Sequence, residues 1–313
     1  MAKEKMKPIR NKTHARNKNI DRYDLQALVK TIPNLTNYIQ PNVKGEDTID
    51  FKNPAAIKTL NTALLQYYYG IEHWVFPDTF ICPSIPNKAD YVHHMADVLM
   101  ESNFGTLPQG NKITCFDLGM GASCIYPIIG ITEYDWNFVG SDIDEKSIIA
   151  AQAIVNKNKV LKNKMECKIQ ANPKDFFYSI IDKETKVDLA ICNPPLYANL
   201  KDAQTETQKK SAPFTVAEIG DEIIYEGGET GFLQRYVKES KKFSENCFWF
   251  SALVHKSSNQ KGMVEFLDEL GATQTKAIPM GLGNKASQII AWTFLNKTAQ
   301  VAWKKERWDI KQA

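Results

Sequence analysis

The stretch ICNPPLYAN (residues 191–199) leaves an apolar run through Asn193, Pro194 and Pro195, then sets Leu196 beside Tyr197. Proline has no N–H to give a sheet ladder, so a strand must end at this pair. That puts Asn193 at the strand's carboxyl end, where open α/β sheets bind ligands. Upstream, FDLGMGASCIYPIIG (116–130) reads as a strand, a glycine turn and a helix start. Gly119 and Gly121 let backbone approach a ligand closely, and the following helix presents free amides. Asp117 stands just before this turn, and GSDID ends the next strand. An acid there accepts both hydroxyls of an adenosyl ribose, with Asp142 the first candidate and Asp144 the alternate. A glycine turn with a distal acid serves dinucleotides as well as S-adenosylmethionine.

Such residues need a frame that gathers strand ends. From residue 111 onward strands and helices alternate. KITCFDLG, NFVGSDID, MECKIQ, VDLAICN, CFWFSALV, TQTKAIPM and SQIIAWTFLN read as strands. Helices are predicted from ASCIYPIIG, DEKSIIAAQAIVNKN, PKDFFYSIID, ETGFLQRYVKESKKF and NQKGMVEFLDELGA. This alternation means a mainly parallel sheet covered on both faces. Only GLGNKA parts the last two strands, too short for a crossover helix, so they form an antiparallel hairpin. Seven strands ending in a hairpin is the arrangement of class I methyltransferases, an α/β Rossmann-like fold, here over residues 111–297. Before it, NPAAIKTLNTALLQYYYG carries Pro54 at a first helical turn and Gly70 at the end, and a second helix runs from about Lys88 to Glu101. Residues 21–110 therefore read as a mainly helical accessory region leading into the main fold, and 298–313 as a basic tail.

Composition narrows the class. Of 313 residues 43% are hydrophobic and 24% charged, as in ordinary globular proteins. No apolar run nears the roughly 20 residues that span a bilayer, and the basic N-terminus lacks a signal peptide's apolar core. A cytoplasmic location is the expectation. Six scattered cysteines without a CxxC pair argue for reduced core thiols, and adjacent His93 and His94 diverge on a helix, so no metal is expected. Residues 1–30 hold nine Lys or Arg against three acids. Residues 1–20 read as a basic disordered arm able to neutralise phosphates on nucleic acid.

In amino-methyltransferases an [ND]PP[YF] tetrad follows the fourth strand, where NPPL stands here. Adenine's exocyclic amine is conjugated with its ring and barely nucleophilic. The Asn193 carboxamide and the Pro194 carbonyl, both acceptors, would bind its two hydrogens and aim its lone pair at a sulfonium methyl. FDLGMGASCIYPIIG, CNPPLYAN, YEGGETGF and IAWTF, with PNKADYVHHMADVL upstream, resemble the RlmF family of bacterial methyltransferases, which act on an adenine exocyclic amine in 23S rRNA. A eukaryotic methyltransferase-like enzyme of spliceosomal small nuclear RNA shares these motifs. The resemblance covers nearly the whole chain.

It implies S-adenosylmethionine as cofactor, with Gly119 and Ser123 on its methionine part, Asp142 on its ribose, and Lys174 and Asp175 near its adenine. Asn193, Pro194 and Pro195 would hold the amine, and the loop 201–226, with Lys201, Lys209 and Lys210, would be a lid. GGE (227–229) is either a helix start close to the active site or a plain glycine loop. Two residues depart from the family pattern. Lys88 stands where relatives have Arg, and can still meet the cofactor carboxylate as a point charge. Leu196 replaces the aromatic that stacks on the base, so Tyr197 is expected to supply that face. The implied partner is 23S rRNA, free or in an assembling subunit, acted on by a monomer. A methyltransferase for a protein glutamine amide, or an RNA-binding factor with a degenerate core, would share parts of this pattern.

Overall fold

The computed structural model describes residues 13–210, 222–280 and 287–308; side chains are described for these except at 206–210. Helix α1 (Leu25–Thr31) leads through a 3-10 turn to a small hairpin, β1 (Ile39–Pro41) with β2 (Asp47–Ile49). Helix α2 (Pro54–Tyr69) starts where Asn53 accepts from the amides of Ala55 and Ala56, and stops at Gly70, left-handed at φ +66°. Helix α3 (Ile85–Ser102) follows, then β3 (Thr114–Leu118), α4 (Ile125–Tyr134), β4 (Asn137–Asp142), α5 (Glu145–Lys157), β5 (Met165–Ile169) and β6 (Val187–Cys192). The chain closes with α6 (Leu200–Lys210), α7 (Gly228–Lys242), β7 (Cys247–Val254), α8 (Ser257–Glu269), β8 (Gln274–Met280), β9 (Ser287–Thr293) and α9 (Lys297–Arg307).

All seven expected strands form one sheet in the order β5-β4-β3-β6-β7-β9-β8. Five are parallel, and β9 runs antiparallel to both β7 and β8. The turn joining that hairpin, GLGNKA, lies outside the described residues. Chain direction across the sheet reverses between β3 and β6, the switch point at which such sheets open a crevice. Leu118 pairs with Ser141 on one side and Cys192 on the other, so the glycine turn, Asp142 and Asn193 emerge at one edge. One face of the sheet packs on α2, α3, α4 and α5; the other packs on α7 and α8. Burial on both faces explains why β6 reads VDLAIC, with every residue buried. No helix among the described residues is long and apolar enough to cross a membrane.

Four expectations are corrected. PKDFFYSIID (173–182) is not a helix: the amides of Phe176, Phe177 and Tyr178 all donate to Glu239 Oε1 (2.9, 2.7 and 3.2 Å) instead of turning back on carbonyls. Residues 13–20 are not a disordered arm. His14 Nε2 meets Asp97 Oδ2 at 2.8 Å, Arg16 donates to Asp97 (2.7 Å) and Tyr134 (3.0 Å), and Asn17 is buried. Residues 1–12 lie outside the described residues. The basic tail is α9, whose Trp303 and Arg307, with Trp308 just beyond, reach the fully buried Asp188 at the start of β6. The segment expected to be a loop begins as α6, with Lys201 exposed on it; the Lys209 and Lys210 side chains lie outside the described residues. The 21–110 region also shares its core with the sheet, since Leu28, Leu64 and Tyr91 join one cluster with Ile128 and Trp249.

Candidate active site

Gly119 and Gly121 are left-handed at φ +69° and +66°, conformations that cost a side-chain-bearing residue energy. The amides of Gly119 and Met120 both donate to Ser141 O (2.9 and 3.0 Å), folding the turn over the end of β4. A Cβ built on either glycine meets nothing within 4 Å, so the turn faces open space. Asp142 Oδ2 accepts from Gly121 N at 2.9 Å and Oδ1 from Asp144 N at 3.0 Å. Asp144 itself caps α5, accepting from the amides of Lys146 and Ser147 and from Ser147 Oγ. Of the two candidate acids, Asp144 is thus engaged by its own helix, and Asp142 stands at the strand end beside the turn. Ser123 is buried, with its carbonyl taking Trp74 Nε1 at 3.0 Å.

Asp117 is wholly buried, and neither carboxylate oxygen has a hydrogen-bond partner. Burial pushes its carboxyl up to about 8, against the pull of the nearby Lys88. Burial likewise brings the Lys88 ammonium down to about 8, with Asp117 opposing. Lys88 Nζ donates to Tyr126 Oη at 3.1 Å and sits 5.0 Å over that ring. A buried carboxylate with no donor is costly and rare, and is the kind of acceptor that a ligand's ammonium group completes.

Asn193 repeats the pattern across the switch point: its Oδ1 is buried and unpartnered. The preceding peptide is held from behind. Tyr91 Oη on α3 lies 3.2 Å from Cys192 O and 3.1 Å from Ser251 Oγ, and Ser251 in turn donates to Ala190 O at 2.7 Å. Neither Tyr91 nor Ser251 stood out in the sequence. The signals were a lone serine inside the apolar run CFWFSALV and a tyrosine within ADYVHH.

Beyond the prolines, the amides of Leu196 and Tyr197 donate to Ile223 O (3.1 and 2.9 Å), and Tyr225 N donates to Tyr197 O (2.9 Å). Gly228, at φ +61°, packs so closely that a Cβ would lie 3.2 Å from Ala198 N. GGE is therefore a helix start pressed against the NPPLY loop. Glu229, fully buried, accepts from the amides of His255 (2.6 Å) and Lys256 (3.1 Å) and from Asn259 Nδ2 (2.7 Å), tying α7 to the end of β7. Tyr197 is 9% exposed in a cluster with Ala203, Ile223 and Ile81, whereas Leu196 is the more open of the two. Pro194 is buried and Pro195 partly so. Lys174 and Asp175 line a groove of about 520 Å³ against α7, whose lining includes no residue of the glycine turn.

Residues 7–296 match a family described as RNA methyltransferase. The chain is 43% identical over 309 residues to the ribosomal RNA large subunit methyltransferase F of Cytophaga hutchinsonii, covering 96% of each chain. It is 39% identical to the enzyme of that name from Photobacterium profundum, covering 99% of this chain and all of the other. The human METTL16 catalytic domain in complex with the MAT2A 3′UTR hairpin 1 superposes with a TM-score of 0.78 at 25% identity, over 91% of this chain and 96% of that one. The METTL16 N-terminal domain in complex with SAH shares the fold, at a TM-score of 0.73 and 24% identity. An open glycine turn, a strand-end acid and an Asn-Pro-Pro exit thus sit on a chain that belongs to the ribosomal RNA large subunit methyltransferase F family.

Proposed function

We propose that this protein transfers the methyl group of S-adenosylmethionine to the exocyclic N6 amine of one adenine in 23S rRNA. The observation that carries the reading is the unpartnered, buried Asn193 Oδ1 at the end of β6, set before two rigid prolines. A carboxamide oxygen is an acceptor, and so is the Pro194 carbonyl; together they suit the two hydrogens of a primary amine.

The residues present fit the cofactor. The Asp117 oxygens lack donors, the glycine turn faces open space, and Asp142 stands beside it. Asp117 would take the methionine ammonium, Lys88 its carboxylate, Gly119 and Ser123 the neighbouring backbone, and Asp142 the ribose hydroxyls. When bound, S-adenosylmethionine supplies an electrophilic methyl on a sulfonium. The protein's own part is alignment. Asn193 and Pro194 draw on the amine hydrogens, which favours a tetrahedral nitrogen and directs its lone pair along the transfer axis. No strong general base is required, because the proton can leave after transfer. Leu196, the more open residue beyond the prolines, covers one face of the extruded base by dispersion, and Tyr197 braces the loop. Such a protein works where large-subunit rRNA is made and assembled, the cytoplasm of a bacterium. Mapping N6-methyladenine in 23S rRNA from cells with and without the gene tests the reading: one adenine should lose its methyl group. An unchanged map would overturn it.

A further inference from the structure

We propose that the groove between α7 and the segment 174–178 is the track for the RNA backbone flanking the target adenine; this rests on the methyltransferase reading above. Its cationic wall is one face of α7. Arg235, Lys238 and Lys242 stand at helical spacing and are all exposed, and Lys174 faces them from the opposite wall. Tyr178, 41% exposed, and Tyr225 supply flat surfaces in the same groove. At 1.5 Å per residue, α7 from Gly231 to Lys242 offers about 16 Å, enough for a short run of phosphates.

Charge pairing decides what the groove wants. It holds four cations against three acids, and two of the acids are turned to other groups: Glu239 is buried under three backbone amides, and Asp175 accepts from Asn172 Nδ2 at 2.8 Å. Among the described residues none of Lys174, Arg235, Lys238 and Lys242 has a carboxylate partner. Lys242 instead lies 5.5 Å over the Tyr178 ring, and Lys238 is 5.7 Å over Phe266. Unpaired cations interleaved with aromatics fit a polyanion carrying bases, with phosphates on the side chains of α7 and a flanking base on tyrosine. Glu226, exposed at the upper end, is the groove's remaining acid. The groove also joins the catalytic loop directly. Tyr225 lines its upper end and donates its amide to Tyr197 O at 2.9 Å, three residues past Pro194. A strand lying there delivers its next nucleotide to Asn193.

The test replaces charge without touching the site. Full-length 23S rRNA transcribed without modifications is titrated with wild-type protein and with the triple variant Arg235→Gln, Lys238→Gln, Lys242→Gln across a salt series. Single-strand contacts contribute about −0.7 each to the log–log salt slope, so the triple variant should lose about 2 from it. Its KM for rRNA should rise tenfold or more, with kcat within twofold and S-adenosylhomocysteine affinity unchanged, which also reports that it is folded. A control variant of equal charge change, Lys157→Gln, Lys159→Gln, Lys162→Gln, on exposed positions around the end of α5, should keep the wild-type slope. A groove variant with the wild-type slope, or a control that loses as much, would overturn the groove while wild-type methylation stands. Wild-type protein that fails to methylate the rRNA would overturn the substrate itself, and with it the groove's occupant.

Discussion

Replacing Tyr91 by Phe removes one hydroxyl from the most buried part of the site and leaves the ring, which packs edge-on against Tyr126 at 5.3 Å. The lost group bridges Cys192 O at 3.2 Å and Ser251 Oγ at 3.1 Å. Ser251 keeps its own bond to Ala190 O, so the Cys192 carbonyl is the acceptor left bare. One missing bond and one unsatisfied buried carbonyl together cost about 1–3 kcal/mol of stability. At about 2–4 °C per kcal/mol for a chain of 150–250 residues, and less for a longer one, the protein remains folded at assay temperature. The larger effect falls on chemistry. That carbonyl belongs to the peptide leading into Asn193, and a displacement near 1 Å in an aligned reaction costs on the order of 100-fold. Single-turnover methyl transfer to rRNA should therefore slow by about 10- to 100-fold, with rRNA and S-adenosylhomocysteine affinities within twofold. Ser251→Ala, which leaves Tyr91 to bond Cys192 alone, should be milder. A folded Tyr91→Phe protein with wild-type single-turnover rate would refute the claim that the peptide's position matters.

Asp142→Ala should weaken S-adenosylhomocysteine by about 1.5–3 kcal/mol in calorimetric titration. Asp144→Ala should spare that affinity and cost about 1 kcal/mol of stability through loss of the α5 cap; the reverse pattern would exchange their roles. With the Asp117 carboxyl raised to about 8, its ionised form is the minor one below that pH. Cofactor-product affinity should therefore fall by up to tenfold per unit as pH drops below 8, and Asp117→Asn should bind weakly and lose that fall on the acid side. A flat wild-type profile would remove Asp117 from the ammonium site. Asp188→Asn should destabilise by about 3–5 kcal/mol, since Arg307 loses its buried counter-charge, and should expose the tryptophans of α9 to quenchers. Unchanged denaturant midpoints would show that α9 is held by packing alone.

What could be read from the chain follows from range. Strands buried on both faces leave continuous apolar runs, so VDLAIC and CFWFSALV declare themselves, and the six residues GLGNKA force a hairpin. The place of Asn193, Asp142 and the glycine turn at one sheet edge was legible because prolines and glycines mark where strands stop. The misreadings all depend on distant partners. Phe176 and Phe177 mimic a helix's apolar period, but their amides are claimed by Glu239 more than sixty residues on. Residues 13–20 look unstructured until Asp97 and Tyr134 arrive to receive His14 and Arg16. Asp188 reads as an ordinary polar residue in a strand, yet it accepts from Thr114 N, both tryptophans and Arg307 and so folds the supposed tail. The Leu–Tyr pair after the prolines illustrates the same limit. Aromatic character singled out Tyr197, but Ile81 and Ile223, far away in sequence, bury it.

If Asn193 activates an adenine amine by accepting from it, removing the carboxamide should stop methyl transfer and spare the cofactor pocket. Purified wild-type and Asn193→Ala proteins are incubated with unmodified 23S rRNA and S-adenosylmethionine, and N6-methyladenine is quantified by mass spectrometry of the digested RNA, alongside calorimetry with S-adenosylhomocysteine. The wild type should leave one N6-methyladenine per rRNA, and the variant should lose at least about 100-fold in turnover with product affinity nearly unchanged. Asn193→Ala protein that methylates the same adenine at a near-wild-type rate would contradict that role for Asn193.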